Sequence, residues 1–166
     1  GFPRYDALEK KEDYKEIVIM PSWRRHFHHS TKEKILKSNY FKIYNTLIND
    51  SRLIDFCREH GYKLIFKPHP NVYRFIELFE TNDYVTIDST SNSYNNIFTH
   101  ASLVITDYSS IAFDFAYLKK PVIYYHYAQD YHFDIEESYF DYKTMGFGEV
   151  VDNHEELIDL IMEYIE

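Results

Sequence analysis

Short apolar runs recur along this chain, and a longer helical or polar segment separates each run from the next. The runs are rich in Val and Ile and hold about four or five residues, which is typical of strands buried on both faces. Strands that alternate with helices indicate a parallel sheet covered on both sides. We therefore predict an α/β fold with a doubly wound, Rossmann-like parallel sheet. Its predicted strands are Glu16–Met20, Lys63–Lys67, Tyr84–Ile87, Leu103–Ile105, Val122–Tyr125 and Glu149–Val151.

Helix signals fill the segments between these strands. Ser30-Thr31-Lys32-Glu33 has the pattern of a capping box, and one or two helices are predicted from there to about His60, with a break near Ser38–Tyr40. Gly61 has the position of a glycine that ends a helix. The segment from His126 to Phe147 has no clean period and is predicted to be irregular. Further helices are predicted at Val72–Phe79, Ser93–His100, Ile111–Leu118 and Glu155–Ile165.

The composition indicates one domain with an aromatic core. The chain has 166 residues, of which 45% are apolar and 19% aromatic, and this argues against disorder. The single cysteine, Cys57, excludes an intrachain disulfide and is predicted to be a small core residue. No apolar run reaches the ~20 residues of a membrane span, and no signal peptide is visible. The net charge of −9 argues against nucleic-acid binding, which needs a broad basic surface.

Ligands of doubly wound sheets bind beyond the carboxyl ends of the strands. One such end is Lys67-Pro68-His69-Pro70, where a proline on either side of His69 holds the imidazole in a defined direction. A histidine in this position can hydrogen-bond a diphosphate or transfer a proton, or it can simply satisfy carbonyl groups of its own turn. Asp88–Ser93 follows another strand and is either a contact for a base or ribose or a plain loop.

Two adjacent hydroxyl groups follow the fourth predicted strand, at the point where a helix should begin. They belong to Ser109 and Ser110, which come after Asp107. The free N–H groups and partial positive charge of a helix N-terminus favour a phosphate. One hydroxyl would suffice for an ordinary N-cap, so the pair indicates a phosphate contact. Asp114, one turn into the helix, either supports this turn or contacts the ligand.

Basic and imidazole side chains follow the first predicted strand closely. Arg24 and Arg25 are either phosphate ligands, for which arginine is well suited, or a solvated surface pair. His26, His28 and His29 lie beside them. No paired Cys and no His-Glu-x-x-His pattern accompanies these histidines, so we predict no metal site.

These blocks together resemble the CDP-glycerol glycerophosphotransferase family, which includes teichoic acid polymerases and related capsule enzymes. The most specific similarity is Thr106-Asp107-Tyr108-Ser109-Ser110 through Asp114, followed by Lys120-Pro121. The resemblance extends over nearly the whole chain. Its other blocks are Gly1-Phe2-Pro3-Arg4-Tyr5-Asp6, Ile19-Met20-Pro21-Ser22-Trp23-Arg24 and Lys67-Pro68-His69-Pro70.

The resemblance implies the C-terminal, donor-binding half of a two-domain transferase of the GT-B type. Residues 1–15 would be a linker from a missing N-terminal acceptor domain, and residues 16–166 would bind CDP-glycerol or a related nucleotide donor. The family's His-Gly-x-Pro block, which belongs to the N-terminal domain, does not occur in this chain. The chain is therefore expected to bind the donor and to transfer little by itself.

The resemblance also implies roles for residues and for the whole enzyme. His69 would assist the diphosphate leaving group, and Ser109 and Ser110 would contact the phosphate. No cofactor is implied. The full-length enzyme would act in the cytoplasm, peripherally on the inner face of the bacterial membrane, on a lipid-linked polymer acceptor. The remaining substrate-binding residues in this interpretation are Arg24, Lys67, Asp107 and Asp114.

Two other functions fit the same fold. The first is a glycosyltransferase or epimerase that uses a UDP- or CMP-sugar. The second is a non-catalytic interaction module, whose interface would be formed by Tyr and Phe side chains that we expect to be exposed between Tyr124 and Tyr142. The Asp130–Asp141 part of this segment could instead close over a ligand or meet another domain.

Overall fold

A computed structural model describes residues 14–24, 27–90, 94–127 and 140–166, apart from the side chain of Asn95. In these residues six parallel strands form one sheet in the order β3-β2-β1-β4-β5-β6. This order confirms the predicted doubly wound α/β class. The strands are β1 Glu16–Ile19, β2 Lys63–Phe66, β3 Val85–Ile87, β4 Ala101–Thr106, β5 Val122–Tyr125 and β6 Val150–Val151.

The central strands are apolar throughout because helices cover both faces of the sheet. In β1, Ile17 and Ile19 pack into one layer, while Val18 and the following Met20 pack into the other. All four are buried, as the period of two along a strand requires when both faces are covered. The predicted core position of Cys57 is also confirmed, since its thiol is buried in the first layer.

Between residue 27 and β2 the structure has three helices, where one or two were predicted. The break at Ser38 is confirmed, and Gly61 ends the third helix in the left-handed conformation, with a φ of 74°. A further break occurs at Asn49, after which the Asp50 carboxylate accepts a hydrogen bond from the Leu53 N–H and caps a new helix. The first cap is Thr31 and not Ser30. The helices are α1 Lys32–Lys37, α2 Asn39–Ile48 and α3 Ser51–His60.

The later helices follow the predicted order with two differences. The predicted helix at Val72–Phe79 is a 3₁₀ helix that begins earlier, at Pro70, because a proline is favourable in the first turn. The segment predicted to be irregular contains a short helix, α6. The elements are the 3₁₀ helix Pro70–Leu78, α4 Tyr94–His100, α5 Ile111–Tyr117, α6 Tyr142–Met145 and α7 His154–Ile165. No helix in the described ranges has the length and apolar character needed to cross a bilayer.

The tyrosines at the start of the segment Tyr124–Tyr142 are buried, which corrects the expectation that they are exposed; residues 128–139 lie outside the described ranges. Tyr124, Tyr125 and Tyr127 all lie in the core because β5 is an internal strand with packed layers on both faces. The turn before β6 depends on a close approach of two backbones. A Cβ on Gly148 would lie 1.7 Å from the Val122 carbonyl oxygen, so only glycine fits there.

Candidate functional site

A cavity of about 240 Å³ opens where the carboxyl ends of β1, β2 and β4 meet. β1 and β4 are neighbours in the sheet, and the strand order reverses between them, which is where ligands of doubly wound sheets bind. The strand-end rule therefore located the cavity from sequence. Its lining residues are Met20, Pro21, Ser22, Trp23, Lys67, Pro68, His69, Tyr94, Ser109 and Ile111.

His69 lines this cavity in a fixed orientation. Its backbone is extended, with a φ of −60° and a ψ of 144°, as the following proline favours. The ring stacks on Trp23, with 5.8 Å between the ring centroids, and Nδ1 accepts a hydrogen bond from the Asn71 N–H at 3.2 Å. Burial lowers the pKa of His69. The ring is therefore neutral at pH 7, and because Nδ1 is an acceptor, Nε2 carries the proton.

Lys67 lies beside His69 and is buried along its whole length. Its ammonium group lies 3.3 Å from an Asp88 carboxylate oxygen and donates to the Thr90 carbonyl oxygen. The rings of Tyr73 and Tyr94 lie 5.7 and 5.3 Å from the same nitrogen. Lys67 thus fixes the loop that follows β3 against the cavity, and Asp88 compensates its charge.

The two serines after β4 are not both used as helix caps. The Ser109 hydroxyl lies 3.4 Å from the Ile111 N–H, whereas the exposed Ser110 side chain makes no capping hydrogen bond although Ser110 is the N-cap residue of α5. Because α5 has only seven residues, its dipole is small, and hydroxyl and N–H donors matter more than the helix as a whole. The Ser110 hydroxyl is therefore not used as a cap, and Ser110 itself is not among the residues that line the cavity.

Arg24 and Asp107 form a buried ion pair next to the cavity. Arg24 is 3% exposed and Asp107 is fully buried, and Nη1 lies 2.9 Å from Oδ2. The other carboxylate oxygen accepts hydrogen bonds from the Ser22 and Tyr108 N–H groups at 2.8 and 2.7 Å. The pair therefore joins the turn after β1 to the turn after β4, and neither side chain lines the cavity.

Two tyrosines that the sequence interpretation missed complete this cluster. The Arg24 Nη2 group donates to the Tyr127 hydroxyl at 2.8 Å, and the Tyr44 hydroxyl lies 3.5 Å from Asp107 Oδ2. Burial, and then the Asp107 carboxylate, raises the pKa of Tyr44, and burial also raises the pKa of Tyr127. Both hydroxyls therefore remain protonated as donors. Tyr127 lies two residues beyond β5, and this strand-end position was the available sequence signal.

Other candidate residues lie apart from the cavity. Asp114 is buried in α5 and is not among the lining residues. His28 and His29 contact each other, with 4.6 Å between their ring centroids. Within the described ranges no three His, Cys, Asp or Glu side chains are placed to hold a metal ion. Several predictions lie outside those ranges. Arg25 and His26 do so wholly, the linker at 1–15 and the Asp130–Asp141 segment largely, and the Asp88–Ser93 loop in its second half.

A model of the CDP-Glycerol:Poly(glycerophosphate) glycerophosphotransferase family matches residues 1–166. The chain belongs to this family. The family resemblance inferred from the strand-end motifs is therefore confirmed.

Named relatives of this family support the assignment. The chain is 46% identical over 174 residues to the minor teichoic acid biosynthesis protein GgaB of Bacillus subtilis (strain 168), covering 99% of this chain and 19% of that protein. It is 29% identical over 178 residues to a teichoic acid poly(glycerol phosphate) polymerase of Bacillus spizizenii (strain ATCC 23059 / NRRL B-14472 / W23), covering 97% of this chain and 43% of the polymerase.

The wall teichoic acid polymerase TagF has the same fold as this member of the family. The TM-score is 0.65 at 21% sequence identity, over 93% of this chain and 38% of the TagF chain. The chain thus corresponds to less than half the length of each of these three proteins.

Proposed function

We propose that this chain is the donor-binding domain of an enzyme that transfers glycerol phosphate from CDP-glycerol to a teichoic acid or capsule-type polymer of the cell wall. The observation that carries the proposal is the cavity at the switch point of the sheet, where Lys67, His69 and Ser109 come together. Family membership supplies the chemical class of donor and acceptor. The acceptor hydroxyl would attack the β-phosphorus of the donor, and CMP would leave.

The cavity and Ser110, which follows the lining residue Ser109 directly, offer hydrogen-bond donors suited to a diphosphate. In the proposed complex, the Ser109 and Ser110 hydroxyls and the Nε2–H group of neutral His69 donate to phosphate oxygens. His69 and Ser109 are held in place before the ligand arrives by their contacts with the Asn71 and Ile111 N–H groups, so they stabilise charge that builds up on the leaving CMP without further reorganisation. Lys67 adds a positive charge close by, balanced by Asp88 in the ligand-free protein.

The buried charges have a supporting role in this proposal. Arg24 and Asp107 were predicted as substrate-binding residues, but their burial and mutual contact favour action through the turns that they join. Asp114 is buried one turn into α5, where in this proposal it would support the turn that carries the two serines. All three would therefore position groups that touch the donor.

A cavity of about 240 Å³ accommodates only part of a nucleotide donor, since pockets for ligands of this size measure roughly 300–1,000 Å³. We infer that another domain of the full-length protein completes the cleft and supplies the catalytic base. The chain alone would then bind donor but transfer little. The full-length enzyme would act peripherally at the inner face of the membrane, on a lipid-linked polymer.

Calorimetric titration of the chain with CDP-glycerol, CMP, UDP and UDP-N-acetylglucosamine tests this proposal. We expect the cytidine ligands to bind more tightly than the uridine ligands. Loss of one hydrogen bond to a charged phosphate costs about 1.5–3 kcal/mol, so Ser110→Ala and His69→Ala should each weaken CDP-glycerol binding by roughly 10- to 100-fold. Ser51→Ala, at an exposed serine on α3, is the matched control and should have no effect.

The same titration separates the alternatives. Tighter binding of the uridine ligands would transfer the assignment to a sugar transferase or epimerase. No nucleotide binding would favour the interaction module, and unchanged affinity in Ser110→Ala and His69→Ala would remove these groups from the donor site.

A further inference from the structure

A second cavity, of about 250 Å³, shares Trp23 as a lining residue with the proposed donor site. Trp23 lines both cavities, and its indole stacks on His69 in the first one. The two cavities are therefore neighbours. The second cavity is lined by Trp23, His28, Pro70, Asn71 and Arg74.

Arg74 gives the second cavity a positive charge that is not compensated by any carboxylate of the described residues. Its Nη2 group donates to the carbonyl oxygens of Phe27 and His28 at 2.9 and 2.7 Å, which fixes the guanidinium in place. No carboxylate of the described residues pairs with it. Each of the other arginines that the structure describes is paired with a carboxylate; they are Arg24, Arg52 and Arg58.

The charge distribution distinguishes the two cavities. In the first, Asp88 balances Lys67, and His69 is neutral. In the second, the charge of Arg74 has no carboxylate partner in the described part of the chain and is accompanied by the polar side chains of His28 and Asn71. A guanidinium with free N–H groups beside hydrogen-bonding side chains suits a phosphate group. The Arg74 side chain is exposed, which suits a polymer that must dissociate or shift along the site after each transfer.

We propose that the cavity lined by His28, Asn71 and Arg74 binds a phosphodiester group of the poly(glycerophosphate) acceptor. The proposal rests on the proposed function, because it places the acceptor next to the donor's diphosphate. An acceptor phosphate held on one side of Trp23 leaves the terminal glycerol beside His69, where the new phosphodiester bond forms. Arg74 and His28 thus act as acceptor-binding residues and take no part in donor binding.

Trp23 allows the two sites to be measured in one assay, because it is the only tryptophan of the chain. Its fluorescence is recorded while a short synthetic oligo(glycerol phosphate) or CDP-glycerol is added in separate titrations. We expect Arg74→Ala to weaken oligomer binding by roughly tenfold or more, and Arg74→Lys to weaken it less because the charge is kept. CDP-glycerol affinity should be unchanged in both variants.

A second pair of variants avoids disturbing the carbonyl contacts of Arg74. His28→Glu places a carboxylate in the cavity, where it can pair with Arg74 and repel phosphate. His29→Glu makes the same charge change one residue away, at a side chain that does not line the cavity. We expect His28→Glu to abolish most oligomer binding and His29→Glu to leave it near the original value. Far-UV circular dichroism confirms that each variant is folded.

The outcomes are distinct for each proposal. Equal loss of oligomer and CDP-glycerol binding in Arg74→Ala would assign Arg74 to the donor site and overturn the acceptor subsite. Unchanged oligomer binding in Arg74→Ala and His28→Glu, or equal effects of His28→Glu and His29→Glu, would overturn it as well. Failure of CDP-glycerol to bind the unmodified chain would instead contradict the proposed function. This result comes from the CDP-glycerol titration alone, so it is distinguishable from failure of the acceptor subsite.

Discussion

The buried pair of Arg24 and Asp107 yields the largest stability effect that we expect from a single change of charge. Asp107→Asn keeps the size of the side chain and an acceptor for the Ser22 and Tyr108 N–H groups. The substitution removes the negative charge that lies 2.9 Å from the Arg24 guanidinium. In its place the amide NH₂ group of the asparagine, which is a donor like the guanidinium, faces Arg24. Because Arg24 is only 3% exposed, water cannot replace the lost partner. Removal of one member of a buried pair costs about 3–5 kcal/mol, a large part of a domain's ~5–15 kcal/mol.

Urea unfolding followed by far-UV circular dichroism measures this loss. Adding Arg24→Met to Asp107→Asn should recover part of the stability, because it removes the unpaired charge. The matched control is Asp55→Asn, which breaks the exposed contact between Asp55 and Arg58 (71% and 60% exposed) and should cost less than about 1 kcal/mol. A loss below about 1 kcal/mol for Asp107→Asn would refute the reasoning.

Three further outcomes are expected for stability. Gly148→Ala drives a Cβ into a β5 carbonyl and should cost about 1–3 kcal/mol by urea unfolding, more than Gly61→Ala, which has open space but a positive φ. Burial lowers the pKa of His69 and His126, so the unfolded chain binds more protons at these sites. Unfolding free energy should therefore fall as the pH drops from about 7 to about 5, and a rise would contradict the burial of these rings. Lys120→Met removes an ammonium group that donates to two backbone carbonyl groups at 2.6 Å. The urea midpoint should fall by an amount equivalent to about 1.5–3 kcal/mol of unfolding free energy. An unchanged midpoint would contradict these contacts.

Much of the fold followed from local pattern. The short apolar runs gave all six strands to within two residues at either end, since strands buried on both faces leave few alternatives. Gly61 and the break at Ser38 were read correctly because their signals are local. The break at Asn49 was missed although Asp50 and Ser51 are ordinary residues for a helix start, because the apolar pattern runs on across it.

The site was only partly predictable, because its contacts join residues far apart in sequence. The strand-end rule placed Lys67, His69 and Ser109 at one cavity. It could not show that Asp107 faces Arg24, 83 residues earlier, since this depends on β1 and β4 being neighbours. For the same reason, Arg24 and Asp107 were predicted as substrate ligands, whereas the fold buries them together; direct donor contact by either one stays a prediction.

The contact between Trp23 and His69 was also invisible in the sequence. Trp23 belongs to a block that resembles the family, but its position between two cavities depends on the turn after β1 meeting the turn after β2. Sequence pattern gave no signal for the second cavity, because Arg74 lies in a 3₁₀ helix whose exposed residues show no distinctive motif.

The most direct test of the central claim is a map of NMR chemical-shift changes on adding CDP-glycerol to the isotope-labelled chain. We expect the largest changes at the cavity where β1, β2 and β4 end, in His69, Ser109, Ser110 and the Trp23 indole N–H. The same positions should shift much less with UDP at equal concentration. Changes confined to the β6 edge of the sheet, or no changes at any CDP-glycerol concentration, would contradict a donor site at the switch point.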